Sequence, residues 1–274
     1  MAEQYIMTQE ELRCLQGIQI ELLQEVDRIC RKHKIHYNMV GGTMLGAIRH
    51  GGYIPWDDDA DIGFLRTEYE RFREVCKREL NTEKYYFQEI RDTNGYRWGY
   101  GKLRRKNTKF VRLGQEFMPY EQGIFIDLFP MDNVPDNIIL RKFHFCSCYL
   151  LRKFLWSEVG YRVEKNKGRR LLYGLMRLVP RRALIKWYEL LISANAHRKT
   201  DMVRILTFPA PRGTYGFYRR WFLQRDRYQF ESITLTGAKD YEGYLKHKFG
   251  NYMELPPEEE RKIHPVSELQ LIEE

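Results

Sequence analysis

Residues 41–64 read GGTMLGAIRHGGYIPWDDDADIGF, and the fold of the chain turns on them. Residues 36–40 before them have the composition of a short strand, Gly41 and Gly42 form a turn signal, and residues 44–49 extend as one or two helical turns. Residues 60–65 then read as a second strand. Asp57, Asp58 and Asp59 lie just before it and Asp61 within it, four carboxylates in five positions. Like charges this close repel, and one would ordinarily take up a proton unless a divalent cation removed the cost. Side chains alternate along a strand, so Asp59 and Asp61 share a face while Ala60 and Ile62 face a core. Two carboxylates on one face, near glycines that let backbone N–H groups approach a phosphate, describe a Mg²⁺ and nucleotide site. The plain alternative is an Asp-rich turn after Pro55, with Asp57 and Asp58 as turn caps. It weakens because the acids run straight into an apolar strand.

Working outward, Thr8 and Glu11 have the spacing of a capping box, and Leu12, Leu15, Ile18, Leu22, Val26 and Ile29 follow at helical spacing to about residue 32. Thr67 and Glu70 suggest a second capping box and a helix to about residue 80. Residues 84–90, 96–104 and 123–129 are further strand candidates, rich in aromatic and β-branched residues. From 135 to about 196 the pattern turns helical, with breaks near Gly168 and Pro180. A last helix is expected over 237–250, ended by Gly250. The expected class is α+β: a mixed sheet flanked by helices over 1–134, then a mainly helical part over 135–274 packing on it.

The 274 residues carry 46 Lys and Arg against 37 Asp and Glu, a formal charge of +9. The excess is local. Residues 141–190 hold 13 Lys and Arg and three acids, leaving the remainder close to neutral, which argues against a uniformly cationic coat for nucleic acid. Basic residues there alternate with Phe143, Leu150, Phe154, Leu171, Leu172, Leu175 and Trp187. That composition suits an interfacial helix on an anionic membrane, and equally helices packing one face on the sheet. Five cysteines without CxxC spacing give no disulfide framework or zinc knuckle. No basic, apolar leader and no run of 18 apolar residues is found, so a cytoplasmic protein is expected, with association at the inner face of the cell membrane left open.

The pattern G-G-T-x-L-G-A-x-R-H-x-G-x-I-P-W-D-D-D-x-D-I-G resembles the signature of the LicD family. These are phosphotransferases with a nucleotidyltransferase fold, including bacterial phosphocholine transferases and resembling the fukutin-related ribitol-phosphate transferases. Residues 123–132, GIFIDLFPMD, resemble the family's second block, and residues 244–257, YLKHKFGNYMELPP, its C-terminal block. The resemblance implies that Asp59 and Asp61 are paired Mg²⁺ (or Mn²⁺) ligands and Asp127 a third carboxylate, either a ligand or a base. It also implies that Gly41, Gly42 and Thr43 lie at the donor phosphates. The implied reaction moves an alcohol phosphate from a CDP-alcohol such as CDP-choline to a hydroxyl of a cell-surface glycan, lipopolysaccharide or teichoic acid, or of a lipid-linked precursor. No nucleic acid partner is implied.

Arg49 and His50 follow the glycine turn, and Arg49 is expected near donor phosphate or Asp58. Lys102 fits a family-like Y-x-K-L pattern and is expected at the polyphosphate, whereas Arg104 and Arg105 read as a solvated face. Tyr53 and Trp56 read as packing beside Pro55, with base stacking the alternative. Lys246 and Lys248 read as solvated helix surface. Two rival functions remain at this level. One is a nucleotidyltransferase acting on a small molecule; the other is an RNA-binding protein using Trp156 and Trp187 as stacking platforms, which leaves the acids unexplained.

Overall fold

The computed structural model describes residues 3–211, 213–261 and 263–272. In chain order the elements are α1 (Gln9–His33), β1 (Asn38–Met39), α2 (Gly41–His50), β2 (Asp61–Leu65), α3 (Arg66–Glu79), β3 (Tyr85–Gln88), β4 (Gly101–Arg105), β5 (Lys109–Arg112) and β6 (Phe125–Asn133). They continue with α4 (Ile138–Val163), α5 (Lys167–Met176), α6 (Arg181–Ser193), β7 (Met202–Arg204), β8 (Phe217–Tyr218), α7 (Arg220–Leu223), β9 (Arg225–Phe230), β10 (Ile233–Ala238), α8 (Tyr241–Phe249) and β11 (Val266–Gln270). The class is α+β, as the sequence indicates.

The capping box of α1 forms: Thr8 Oγ1 accepts from the Glu11 N–H, and the Glu11 carboxylate accepts from the Thr8 N–H. The expected box at Thr67 does not. β2 runs directly into α3 with Leu65 as an uncapped N-terminus, so no residue is left between strand and helix for Thr67 to cap. Arg66 is fixed instead by a bidentate pair with Asp132, both bonds 2.6 Å. The helical break expected near Gly168 falls earlier, over residues 164–166. Asn166 caps α5, and Gly168 sits inside its first turn.

The main sheet has the order β1-β2-β6-β4-β3, with β7 and β8 continuing from the far end of β6. β2 and β6 pair in parallel, and the other pairs are antiparallel. Alternation gives the central strands two faces. Ile62, Phe64, Leu103, Ile126 and Leu128, all fully buried, belong to the core shared with Leu22, Leu23 and Val26 of α1 and with Tyr69 and Phe72 of α3. Lys102, Asp61 and Asp127 lie on the other face. Of the expected strand at 96–104, only Gly101–Arg105 forms. The Tyr96 hydroxyl donates to the Tyr100 carbonyl, and Tyr96 is buried in a second core with Leu151, Leu155, Leu184 and Tyr188 of α4 and α6.

Beyond Asn133 the helices are joined by strands that sequence periodicity did not mark. β7 and β8 are only three and two residues long, and β9 is mostly polar. β10 also takes Gly237 and Ala238 from the expected last helix, which starts later, at Tyr241 under the Asp240 cap, and ends at Gly250 with φ 70°. Among the described residues no helix is long and apolar enough to cross a membrane.

One buried polar side chain ties α1 to the sheet. Gln19, fully buried, donates from Nε2 to the carbonyls of Asp58 (2.9 Å) and Phe125 (3.0 Å). Replacing it with Met keeps the volume and strands two buried acceptors, each costing about 1–3 kcal/mol. Gln19→Met is therefore expected to lower unfolding stability by about 2 kcal/mol at unchanged m-value in urea; a loss below about 0.5 kcal/mol would show that the bridge carries little.

Candidate active site

Three adjacent strands set charges in a row. Asp61 on β2 is the register partner of Asp127 on β6, and Asp127 is the register partner of Lys102 on β4. Asp59 reaches the same place from the loop before β2. One carboxylate oxygen from each of Asp59, Asp61 and Asp127 lies within 4.8 Å of the other two. At that spacing a pair of unit charges repels by about 3–4 kcal/mol at an effective dielectric of 20. Three such pairs rival the about 5–15 kcal/mol of net stability of a typical domain.

The acids respond accordingly. Burial pushes the Asp61 carboxyl well above its usual range, and the charges of Asp59 and Asp127 add to the push. Burial, then Asp59 and Asp58, does the same to Asp57. Burial also raises Asp59, against the pull of Arg112. Hard oxygen donors with unrelieved repulsion are the donor set that Mg²⁺ or Mn²⁺ takes, so the residues fit a divalent cation.

The glycine turn makes the close packing possible. A Cβ on Gly41, whose φ is +61°, would fall 2.6 Å from Asp61 Oδ2, and one on Gly42 would fall 2.6 Å from Asp57 Oδ2. Both carboxylates therefore rest against the N-terminus of α2, where the helix dipole favours negative charge. The groups expected at donor phosphates are locally engaged: the Gly41 N–H donates to the Tyr244 hydroxyl (2.9 Å), and Thr43 Oγ1 accepts from the Asp61 N–H (2.7 Å).

Lys102 is buried. It forms an ion pair with Asp127, and its Nζ lies 3.3 Å from the centroid of the Phe125 ring. Burial lowers its pKa to about 8, with the Asp127 charge opposing the shift. Arg104 departs from the solvated reading. It is 4% exposed, donates to Gln88 Oε1 and the Gly123 carbonyl, and lines the same cavity. Lys248 departs likewise: its Nζ lies beside Gly41 and its charge pulls against the rise at Asp61, while Lys246 stays exposed beside Glu242. Arg49 is not brought to the acids; it donates to the Tyr252 and Glu254 carbonyls and so fastens the C-terminal block to α2. Tyr53 is packed on Phe230, and Trp56 lies under Arg261.

Sequence reasoning missed two residues. Arg112 donates to Asp58 Oδ2 (2.7 Å) and lies 3.6 Å from Asp59. His264 Nδ1 is 2.7 Å from Asp58 Oδ1. Burial raises Asp58, but Arg112 and His264 outweigh it and hold this carboxyl below its usual range. Asp58 is thus the charged anchor of the loop, while Asp59 faces the cavity and Asp57 rests against Gly42. No sequence signal marked either partner: Arg112 lies on a strand too short to show a period, and His264 is an isolated histidine. The cavity, about 410 Å³, is lined by the three acids together with Lys102, Arg104, Arg112 and His264.

If repulsion among these acids dominates, neutralising one relieves the metal-free protein. Asp61→Asn is expected to melt no lower than the parent in EDTA and to lose the rise in melting temperature that Mn²⁺ gives the parent. A variant that keeps that rise would remove Asp61 from the cation site.

A family model described as LicD/FKTN/FKRP, nucleotidyltransferase domain, matches residues 34–149, which include Asp59, Asp61, Lys102 and Asp127. The chain is 28% identical to the lipopolysaccharide cholinephosphotransferase LicD of Haemophilus influenzae, over 95% of this chain and 98% of that protein. It is 40% identical over 50 residues to the human ribitol 5-phosphate transferase FKRP, covering 18% of this chain and 10% of that protein. An uncharacterized protein of Rickettsia prowazekii is 23% identical over 51% of this chain and 47% of its own length. Residues 34–149 thus match the nucleotidyltransferase domain of the LicD family around the acid row, and the chain as a whole is similar to a LicD phosphotransferase over nearly its full length.

Proposed function

We propose that the chain transfers an alcohol phosphate, phosphocholine or ribitol phosphate being the type, from a CDP-alcohol to a hydroxyl of a cell-surface glycan or its lipid-linked precursor. The observation that carries this is the convergence of Asp59, Asp61 and Asp127 beside Lys102. It is supported by the names of the relatives, one a cholinephosphotransferase acting on lipopolysaccharide and one a ribitol 5-phosphate transferase. Asp59, Asp61 and Asp127 would hold Mg²⁺ or Mn²⁺, which supplies neutralisation of charge on the donor pyrophosphate. Lys102 and Arg112 offer fixed positive charge on the same wall. Gly41, Gly42 and Thr43 act through the acids, seating Asp61 and Asp57 against α2. Asp127, paired with Lys102, is the carboxylate best placed to accept the proton of an incoming hydroxyl when that pair opens.

The basic segment supports work at a lipid surface. On α4, Ile139, Phe143, Cys146 and Leu150 are exposed along one helical stripe. On α5 no residue is buried, and Leu171 and Leu175, with Leu178 just past its end, continue an apolar stripe flanked by Lys167, Arg169, Arg170 and the capping Arg177. Apolar side chains ringed by cations match an anionic headgroup layer.

Product analysis tests the reaction. CMP and an alcohol phosphate bound to acceptor are expected from CDP-choline or CDP-ribitol, and Asp59→Ala is expected to lower turnover by more than about a hundredfold. Release of pyrophosphate from a nucleoside triphosphate would instead establish the nucleotidyltransferase rival. For the surface, co-sedimentation with phosphatidylglycerol vesicles at low salt is expected and should fall at least tenfold in a Leu171→Glu, Leu175→Glu double variant. Equal sedimentation of both proteins would place lipid contact elsewhere.

A further inference from the structure

A second chamber of about 360 Å³ opens beside the acid cavity, within the range of small-molecule sites. Trp98, Tyr100, Trp156 and Phe208 line both spaces, so the chambers meet along four aromatic rings. Trp98 and Trp156 stand edge to face with centroids 6.4 Å apart, and Tyr100 and Phe208 do the same at 6.0 Å. The outer chamber's polar groups are Arg97, Arg152, Lys153 and Thr207, and among the described residues no carboxylate lines it.

Two of these groups lack the partners that burial demands. Arg97 donates from Nε to the Leu155 carbonyl (2.9 Å), which fixes the guanidinium, yet its Nη2 is buried with no partner. Thr207 is 5% exposed, and its hydroxyl is also without a partner. An unpaired buried donor costs about 1–3 kcal/mol; both atoms are covered from solvent, so a ligand in the chamber meets Arg97 through the rest of its guanidinium and reaches these two atoms only if the wall shifts. The acid closest to Arg97 in charge effect, Glu158, is already paired with Arg162. A guanidinium with a free donor edge, two further cations and a hydroxyl match the oxygens of a phosphate. The same cations disfavour a quaternary ammonium, despite the aromatic walls.

We propose that the outer chamber binds a phosphate group on the acceptor sugar, with Arg97, Arg152, Lys153 and Thr207 holding the anion and Trp98 and Trp156 flanking the sugar ring. The inference rests on the acid cavity being the donor site: if the donor pyrophosphate is held by the three acids, the space across the aromatic wall belongs to the molecule that supplies the hydroxyl. The enzyme then selects an acceptor already phosphorylated, so a sugar kinase or a phosphoglycan-forming step must act before it.

Because Trp98 and Trp156 line the chamber, intrinsic fluorescence reports binding without turnover. In EDTA, glucose 6-phosphate as probe is expected to change the emission saturably and at least tenfold more tightly than glucose. Arg97→Gln and, on the exposed side, Lys153→Gln should each weaken glucose 6-phosphate at least fivefold while leaving CDP affinity within twofold. The assignment is overturned by no saturable response to glucose 6-phosphate, by equal binding of glucose, or by parent-like binding in both variants. It is also overturned if the variants weaken CDP instead, which would make the chamber part of the donor site. None of these results depends on metal or on product, so failure here leaves the CMP-release experiment to judge the donor reading separately.

Discussion

Mutual repulsion among carboxylates is the constraint around which this molecule is built. The parallel pairing of β2 and β6 brings Asp61 and Asp127 side by side, and the preceding loop delivers Asp59 to the same point. Everything nearby answers that concentration of charge. The glycine pair lets α2 present its positive end, β4 supplies Lys102 and Arg104, β5 supplies Arg112, and α8 brings Lys248. Yet Asp57 and Asp61 remain held well above the usual carboxylate range. The fixed cations reduce the imbalance without cancelling it, and that residue of negative charge is what gives a metal ion a reason to bind.

The run of aspartates shows how much of this was legible. Alternation along a strand put Asp59 and Asp61 on one face; they do converge, but β2 begins only at Asp61 and Asp59 arrives from the loop before it. Lys102 and Asp127 were marked by motif, and the sheet register explains why they meet. Asp58 could not be separated from its neighbours by reading alone, since its distinct role depends on Arg112, 54 residues away, and on His264, 206 residues away. Lys248 read as surface for the same reason: a nine-residue helix with a weak amphipathic pattern does not announce which lysine turns inward. The Thr67 box failed because a local capping signal cannot foresee that a strand will leave it no room. Local chemistry was readable; partners brought by topology were not.

The basic residues of 141–190 fall in two settings. Arg152 and Lys153, within the basic segment, face the outer chamber, whereas the cations of α5 surround exposed leucines. One helical hairpin thus joins an interior anion site to an exterior apolar face, and α4 is common to both. A substrate with a polar phosphorylated head and a lipid tail has matching chemistry at each end.

The fasteners of the site also set an order of events. Gly41 to Tyr244, Arg49 to Tyr252 and Asp58 to His264 each close a loop of more than 200 residues. Such contacts form late, because loop-closure entropy is lost before they reward it. During synthesis the strands carrying Asp61, Lys102 and Asp127 leave the ribosome well before residues 244–264 arrive. Until those residues arrive, the acids have Lys102, Arg104 and Arg112 for counter-charge but neither Lys248 nor His264.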